Sequence, residues 1–340
     1  MGKRILVVDT SSLVRRFLVK LLQKQGYSVD SVGDGSKALE KIRSQHYSLV
    51  TLDFKLPSID GLELLKIIMN EKPIRVLMIG SYENSATLSF EALDLGAIEY
   101  IQRPQKSIDI ATISDEIIQK VKKCLLVLPQ NIHKRVYTHK EQFINYESDI
   151  KMGFVLIGAS TGGPRLIETI CRSLPKNYPH AVCVVQHMPT EFTANFASRL
   201  NKLSMVEVLE AENGLELKQG RVIIAKGGKH LHIRKKLKSY SVLLAPNTRE
   251  RFFVPSVDEM FLSAMETLPI KNILAVELTG IGDDGADAMV ELKKRGAYTL
   301  AESEESAVVY GMPKEVARRG GATKVLDFDK ILDEILHYGQ

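Results

Sequence analysis

Phe154-Val155-Leu156-Ile157-Gly158-Ala159-Ser160-Thr161-Gly162-Gly163-Pro164 joins a buried strand, a tight turn and the start of a helix. The apolar run stops abruptly at Gly-x-Ser-x-Gly, and helix-compatible sequence resumes after Pro164. This is the layout of a nucleophile elbow, in which a sharp turn lifts a serine hydroxyl above the end of a strand. Glycines on both sides allow the turn and let a substrate come close. The N–H groups that open the next helix suit a developing oxyanion. A serine hydroxyl is inert unless a neighbour takes its proton, so the assignment depends on what lies at the other strand ends.

Outward from this turn the same alternation continues. Strands are predicted at Phe154–Ile157, Ala181–Gln186, Val222–Ala225 and Asn272–Leu278, with a hairpin near Lys229–Leu244. Towards the N-terminus, Arg4–Val8, Ser48–Leu52, Arg75–Ile79 and Ala97–Ile101 read as buried parallel strands. Leu13–Gln25, Ser36–Gln45, Gly61–Asn70 and Ser85–Leu95 carry apolar residues at helical spacing, and Gly26 sits where a helix C-cap glycine belongs. Repeated strand–helix units predict two doubly wound, mostly parallel α/β halves. The stretch between them, with Pro129, His133, Lys134, Arg135, His139, Lys140 and Glu141, lacks apolar periodicity. The expected division is therefore 1–124, a linker over 125–151, and 152–340.

Composition narrows the function classes. A chain of 340 residues with 44% hydrophobic and 26% charged residues suits two soluble globular domains. The net charge of +5 is spread out apart from Arg234-Lys235-Lys236, which argues against nucleic acid as a partner. Cys124, Cys171 and Cys183 are scattered in apolar surroundings and suggest neither a disulfide framework nor a zinc site. No signal peptide is read at the N-terminus and no run spans a bilayer, so a cytoplasmic protein without membrane insertion is expected.

A serine nucleophile needs an imidazole base and a carboxylate to orient it. His187 follows the strand at 181–186, one crossover from Ser160. Leu278-Thr279-Gly280-Ile281-Gly282-Asp283-Asp284-Gly285 ends another strand in a glycine-rich loop, where Asp283 or Asp284 reaches the same sheet edge. Blander roles exist for each piece: a phosphate-cradling turn, a satisfied histidine, helix-capping aspartates. The turn lacks the lysine of a P-loop and the Gly-x-Gly of a dinucleotide site, and three suitable groups at three strand ends favour catalysis. The order Ser, His, Asp differs from that of the α/β-hydrolases. His180, His230 and His232 are read as structural or solvent-exposed.

Gly158–Gly163, Gln186-His187-Met188-Pro189, Phe192-Thr193, Arg199-Leu200-Asn201, Gly228-Lys229-His230, Pro255-Ser256-Val257-Asp258, Leu278-Thr279-Gly280, Asp284-Gly285-Ala286 and Gly311-Met312-Pro313 together resemble the chemotaxis protein-glutamate methylesterases, the CheB family. The resemblance covers nearly the whole chain. It implies Ser160 as nucleophile, His187 as base and acid, and Asp284 rather than Asp283 as the orienting carboxylate. Thr161 and Ile281 would supply the oxyanion hole, with Ile281 standing where the family commonly has Met. The implied reaction is hydrolysis of glutamyl γ-methyl esters on the helical cytoplasmic domains of chemoreceptors, with methanol released and no cofactor needed. Deamidation of receptor glutamines uses the same acyl chemistry. The competing reading is a non-catalytic chemotaxis adaptor with a degenerate receiver, and the full trio Ser160, His187 and Asp284 argues against it.

The N-terminal half resembles a response-regulator receiver, a flavodoxin-like domain. Asp53, followed by Lys55-Leu56-Pro57 and Asp60-Gly61, matches the phospho-accepting aspartate, and Asp9 ends the first strand at the same edge. The resemblance implies Mg²⁺ held around Asp9, Asp53 and the Lys55 position, and a chemotaxis histidine kinase as partner. It further implies a receiver that covers the esterase site until phosphorylated. Three parts depart from the pattern. Thr10 stands where a second acid is usual, Gly80 where a Ser or Thr senses the phosphoryl group, and Arg103 where Lys precedes Pro104. Losing a carboxylate removes an anionic Mg²⁺ ligand, and a planar guanidinium does not replace a compact ammonium. The expectation is a receiver that is weakly phosphorylated or not at all.

Overall fold

A computed structural model describes residues 2–81, 85–104, 106–127, 146 and 150–340. The chain separates into two compact units, Met1–Val136 and Tyr137–Gln340. Most of the linker expected over 125–151 lies outside the described residues.

The first unit is a five-stranded parallel sheet in the order β2-β1-β3-β4-β5. Its strands are β1 (Arg4–Val8), β2 (Ser28–Val32), β3 (Leu49–Leu52), β4 (Val76–Ser81) and β5 (Glu99–Arg103). Helices α1 (Ser12–Lys24), α2 (Gly35–Ser44), α3 (Gly61–Glu71), α4 (Ser85–Leu95) and α5 (Ser114–Cys124) connect and flank them. Ser11, Asp34 and Asp60 each cap a helix by accepting a backbone N–H, so the caps follow the sequence directly. Gly26 takes φ +83° just past α1, as a C-cap glycine does. Strand β2 is an edge strand that the apolar pattern did not reveal, because Ser28-Val29-Asp30-Ser31-Val32 is half exposed along its length. The sheet order reverses between β1 and β3, so Asp9 and Asp53 flank the crevice where such sheets bind ligands.

The second unit is a seven-stranded sheet in the order β14-β13-β12-β6-β7-β9-β8, with parallel pairing throughout. Strands β6 (Phe154–Ala159), β7 (Ala181–Gln186), β9 (Arg221–Ile224) and β12 (Ile273–Glu277) fall where the apolar runs put them. Three more strands, β8 (Glu207–Glu210), β13 (Tyr298–Glu302) and β14 (Lys324–Leu326), extend the sheet. The expected hairpin is β10 (His230–Lys235) paired antiparallel with β11 (Tyr240–Ala245). Strands β6, β7 and β12 are buried at every position, which is why they read as continuous apolar runs rather than alternations.

Helix α6 (Gly163–Ser173) starts immediately after the serine turn, with a proline in its first turn where the missing N–H costs nothing. Gly162, at φ +84°, makes the bend, and a Cβ there would lie 2.3 Å from the Val308 side chain. Leu166, Ile167 and Ile170 of α6 are buried, each at about 1.5–3 kcal/mol of hydrophobic stabilisation. Helices α7 (Thr190–Leu203), α8 (Val257–Thr267), α9 (Ala286–Lys294), α10 (Met312–Arg318) and α11 (Phe328–Leu336) complete this unit. The sheet order reverses at β6, whose neighbours are β12 and β7, so the loops after these three strands share one edge.

Candidate active site and receiver pocket

Ser160, His187 and Asp284 follow β6, β7 and β12 at that edge. Nε2 of His187 lies 2.8 Å from Oδ2 of Asp284, and both side chains are buried. Of the two aspartates at this loop, Asp284 is the one that meets His187. Asp283 is exposed and pairs with Arg319 instead. Asp284 also accepts from Ser256 Oγ at 2.7 Å, Val257 N at 2.7 Å and Asp258 N at 3.1 Å. The carboxylate therefore sits on the N-terminus of α8, where backbone N–H groups favour negative charge. Burial works to raise its pKa, yet the bonds from His187, Ser256 and Val257 outweigh burial and hold it below the usual value.

Ser160 is almost fully buried, and its backbone is pinned to the neighbouring loop by Ser160 N donating to Thr279 O at 2.9 Å. Gln186 donates to Ser160 O at 2.9 Å and to His187 O at 3.1 Å, tying two of the strand ends together. A Cβ at Gly280 would stand 2.8 Å from the Ser160 Cβ, so only glycine lets the loop carrying Ile281 approach the serine so closely. Thr161 is buried beside it, and its carbonyl accepts from Thr279 Oγ1 at 2.9 Å. Thr161 follows Ser160 in the chain, and Ile281 follows Gly280, which makes the close approach from the other loop. With Nε2 on Asp284, the other ring nitrogen of His187, Nδ1, is buried without a hydrogen-bond partner among the described residues.

Two features of this site had no counterpart in the sequence reading. Phe253 stacks face to face on the His187 ring, with centroids 3.9 Å apart and planes at 11°. Glu277, at the end of β12, is fully buried, and neither carboxyl oxygen has a hydrogen-bond partner among the described residues. Burial, with Asp284 and Asp258 nearby, pushes its pKa well above the ordinary value. The one signal available was a glutamate inside an otherwise apolar strand. Three other histidines of this unit are held in place: His180 accepts from Gly153 N and meets Tyr338 O, His230 accepts from Ser256 N, and His232 pairs with Glu259.

These observations meet the comparisons with known proteins. Residues 155–335 match the model of the CheB methylesterase family, and residues 5–115 match the response regulator receiver domain. The chain belongs to the CheB methylesterase family. It is 39% identical to a protein-glutamate methylesterase/protein-glutamine glutaminase of Carboxydothermus hydrogenoformans, over 98% of both chains. A Thermotoga maritima relative of the same description is 36% identical over 98% of this chain and 97% of its own. The crystal structure of the Thermotoga maritima CheB methylesterase catalytic domain superposes with a TM-score of 0.53 at 39% identity, covering 55% of this chain and 98% of that one. This member of the family is thus a hydrolase fused to a response-regulator receiver.

In the receiver, Asp9 and Asp53 are both buried at the crevice. Nη1 of Arg103 lies 2.7 Å from Asp9 Oδ2 and 3.6 Å from Asp53 Oδ2. A second guanidinium, of Arg15, bonds the carbonyls of Asp9 and Thr10 at 2.6 and 3.0 Å. Burial and the charge of Asp9 raise Asp53 to about 6, with Arg103 acting in the opposite direction. Thr10 and Lys55 are exposed. A Cβ at Gly80 would come 2.1 Å from Phe54 Cδ2, so the Phe54 ring fills the place of the missing hydroxyl side chain. For Mg²⁺ the fit is poor. Two carboxylates remain, one is bonded to a guanidinium and its neighbour lies beside the same cation, and the acid at position 10 is gone.

Among the described residues no helix is long and apolar enough to cross a membrane.

Proposed function

We propose that this protein removes methyl groups from glutamyl γ-methyl esters on the cytoplasmic helical domains of chemoreceptors, and that the same acyl chemistry deamidates receptor glutamines. The His187 Nε2–Asp284 Oδ2 bond, at the sheet edge that also carries Ser160, carries the reading. In the neutral ring Nε2–H donates to Asp284, which leaves the Nδ1 lone pair to take the Ser160 proton. Ser160 Oγ attacks the ester carbonyl, and the backbone N–H groups of Thr161 and Ile281 receive the oxyanion. The Nδ1 proton passes to the departing methoxide, giving methanol and an acyl-enzyme. Water, activated by His187, cleaves that ester and restores Ser160. Asp284 stays ionised throughout and stabilises the imidazolium, which its depressed pKa supports.

In the same proposal the receiver neither holds Mg²⁺ nor accepts a phosphoryl group at Asp53. The Arg103 guanidinium supplies the positive charge that the acidic crevice needs, and Phe54 takes the space of the phosphoryl-sensing side chain. Control of the esterase then passes through a partner, such as a chemotaxis kinase, by contact rather than by phosphoryl transfer.

The test is methanol release from methylated receptor by the full chain and by Ser160→Ala. Release by the wild type alone is expected, and equal release by both would remove Ser160 from the mechanism. For the receiver, incubation with Mg²⁺ and a small phosphodonor is expected to leave Asp53 unlabelled. Stoichiometric labelling that disappears in Asp53→Asn would overturn that part.

A further inference from the structure

The Asp284 cradle fixes a carboxylate, not a ring. One hydrogen bond from Nε2 to Oδ2 leaves His187 free to swing about that bond, and each swing moves Nδ1. The partners that orient Asp284, namely Ser256 Oγ, Val257 N and Asp258 N, do nothing to prevent it. A flat surface laid against the imidazole does. Phe253 provides one, at 3.9 Å and 11° from parallel.

We propose that Phe253 is a positioning residue for catalysis, holding the His187 ring in plane and favouring its charged form during the reaction. This inference rests on the serine-esterase reading above. The loop that bears Phe253 is built for rigidity. Asn247 accepts from Arg251 N at 2.8 Å and donates to Arg251 O at 2.9 Å. Arg251 pairs with Glu259 at 3.0 Å and Asp258 at 3.3 Å, anchoring the loop to the first turn of α8. On the other side of Phe253, Val254 O accepts from Gly228 N at 3.1 Å. Phe252, itself 88% exposed, packs edge-on against Phe253 with centroids 4.8 Å apart.

The energetic logic is differential. A neutral imidazole gains only ordinary stacking from a phenyl face. When His187 takes the Ser160 proton it becomes a cation, and a cation over an aromatic face is attracted by the ring quadrupole. The extra attraction exists in the transition state and not before it, so it raises kcat and leaves KM alone. Cation–π magnitudes convert to about 2- to 30-fold in rate.

The experiment compares wild type, Phe253→Leu and Phe253→Tyr, each as the full chain. Leu keeps apolar bulk without the flat face; Tyr keeps the face. Two rates are read: methanol release from methylated receptor, and labelling of Ser160 by a small fluorophosphonate, which also needs His187 as base. Phe253→Leu is expected to lose about 2- to 30-fold in kcat and in labelling rate, with KM within twofold, and Phe253→Tyr to restore most of both. Unchanged labelling in Phe253→Leu, or equal loss in both variants, would overturn the proposal. Labelling of wild-type Ser160 without methanol release would instead refute the receptor substrate, while the effect of Phe253 on labelling would still stand.

Discussion

The two sheets of this protein present polar groups at equivalent places, the carboxyl ends of strands beside a reversal in strand order, yet the two sets are in opposite conditions. At the seven-stranded sheet His187 keeps one nitrogen on Asp284 and the other uncommitted, so a proton can enter and leave. At the five-stranded sheet Asp9 is already bonded to Arg103, and Asp53 lies beside the same guanidinium. The first arrangement leaves a ring nitrogen open; in the second the chain's own cation already lies at the carboxylates. A topology that gathers functional groups therefore does not guarantee a working site. What matters is whether the chain itself occupies the position the ligand or proton would take.

The contrast breaks most readily at the catalytic edge. Asp284→Asn keeps the shape but places an amide where His187 Nε2–H donates, so the ring loses both its tautomer and its counter-charge. A drop in kcat of about 10³–10⁴ is expected for methanol release. A drop below tenfold would mean that Asp284 is not the orienting group.

At the receiver the expected effect is smaller and structural. Gly80→Thr restores the usual side chain but drives it into the Phe54 ring. Overpacking of this kind costs about 1–3 kcal/mol, read as a lower urea midpoint for the receiver's transition. Combining it with Phe54→Leu should recover part of that loss, because the two sites share one volume. An unaltered midpoint in Gly80→Thr would show that the ring does not block position 80.

A further effect concerns pH. Asp258, under the catalytic carboxylate, is raised to about 6 by burial and by the charge of Asp284. Its folded pKa exceeds its unfolded one, so the native state holds the proton longer. Ionisation between about 4 and 6 therefore subtracts stability as pH rises. Asp258→Asn cannot ionise, and its amide oxygen can still accept from Ala288 N. Its stability relative to wild type should climb across that window and level off above it. A flat difference from pH 4 to 7 would contradict the assignment.

Much of this was readable in advance. The fully buried strands β6, β7 and β12 and the caps Ser11, Asp34 and Asp60 are local consequences of composition and spacing. Strand ends then pointed to Ser160, His187 and an aspartate without any coordinates. Strands β2, β8, β13 and β14 were not visible in the apolar pattern. Strand β2 is half exposed and β14 is three residues long with an exposed start, while β13 carries Thr299 and Glu302 among its buried positions. Long-range placement was also hidden. Pro255-Ser256-Val257-Asp258 forms a motif, but its amides reach Asp284 only because α8 packs against β6 and against α9, the helix that follows Asp284. The stack of Phe253 on His187 joins residues from separate loops, and no spacing in the chain announces it. In the receiver, Thr10, Gly80 and Arg103 signalled altered chemistry, whereas the filling of the gap by Phe54 required the fold.

We propose an esterase joined to a receiver that does not answer to phosphorylation. Methanol release from methylated receptor by the full chain, with and without Mg²⁺ and a small phosphodonor, tests it most directly, with Ser160→Ala as the blank. The expected release depends on Ser160 and is the same in both conditions. Release that rises several-fold only when Mg²⁺ and the phosphodonor are present, and fails to rise in Asp53→Asn, would contradict it.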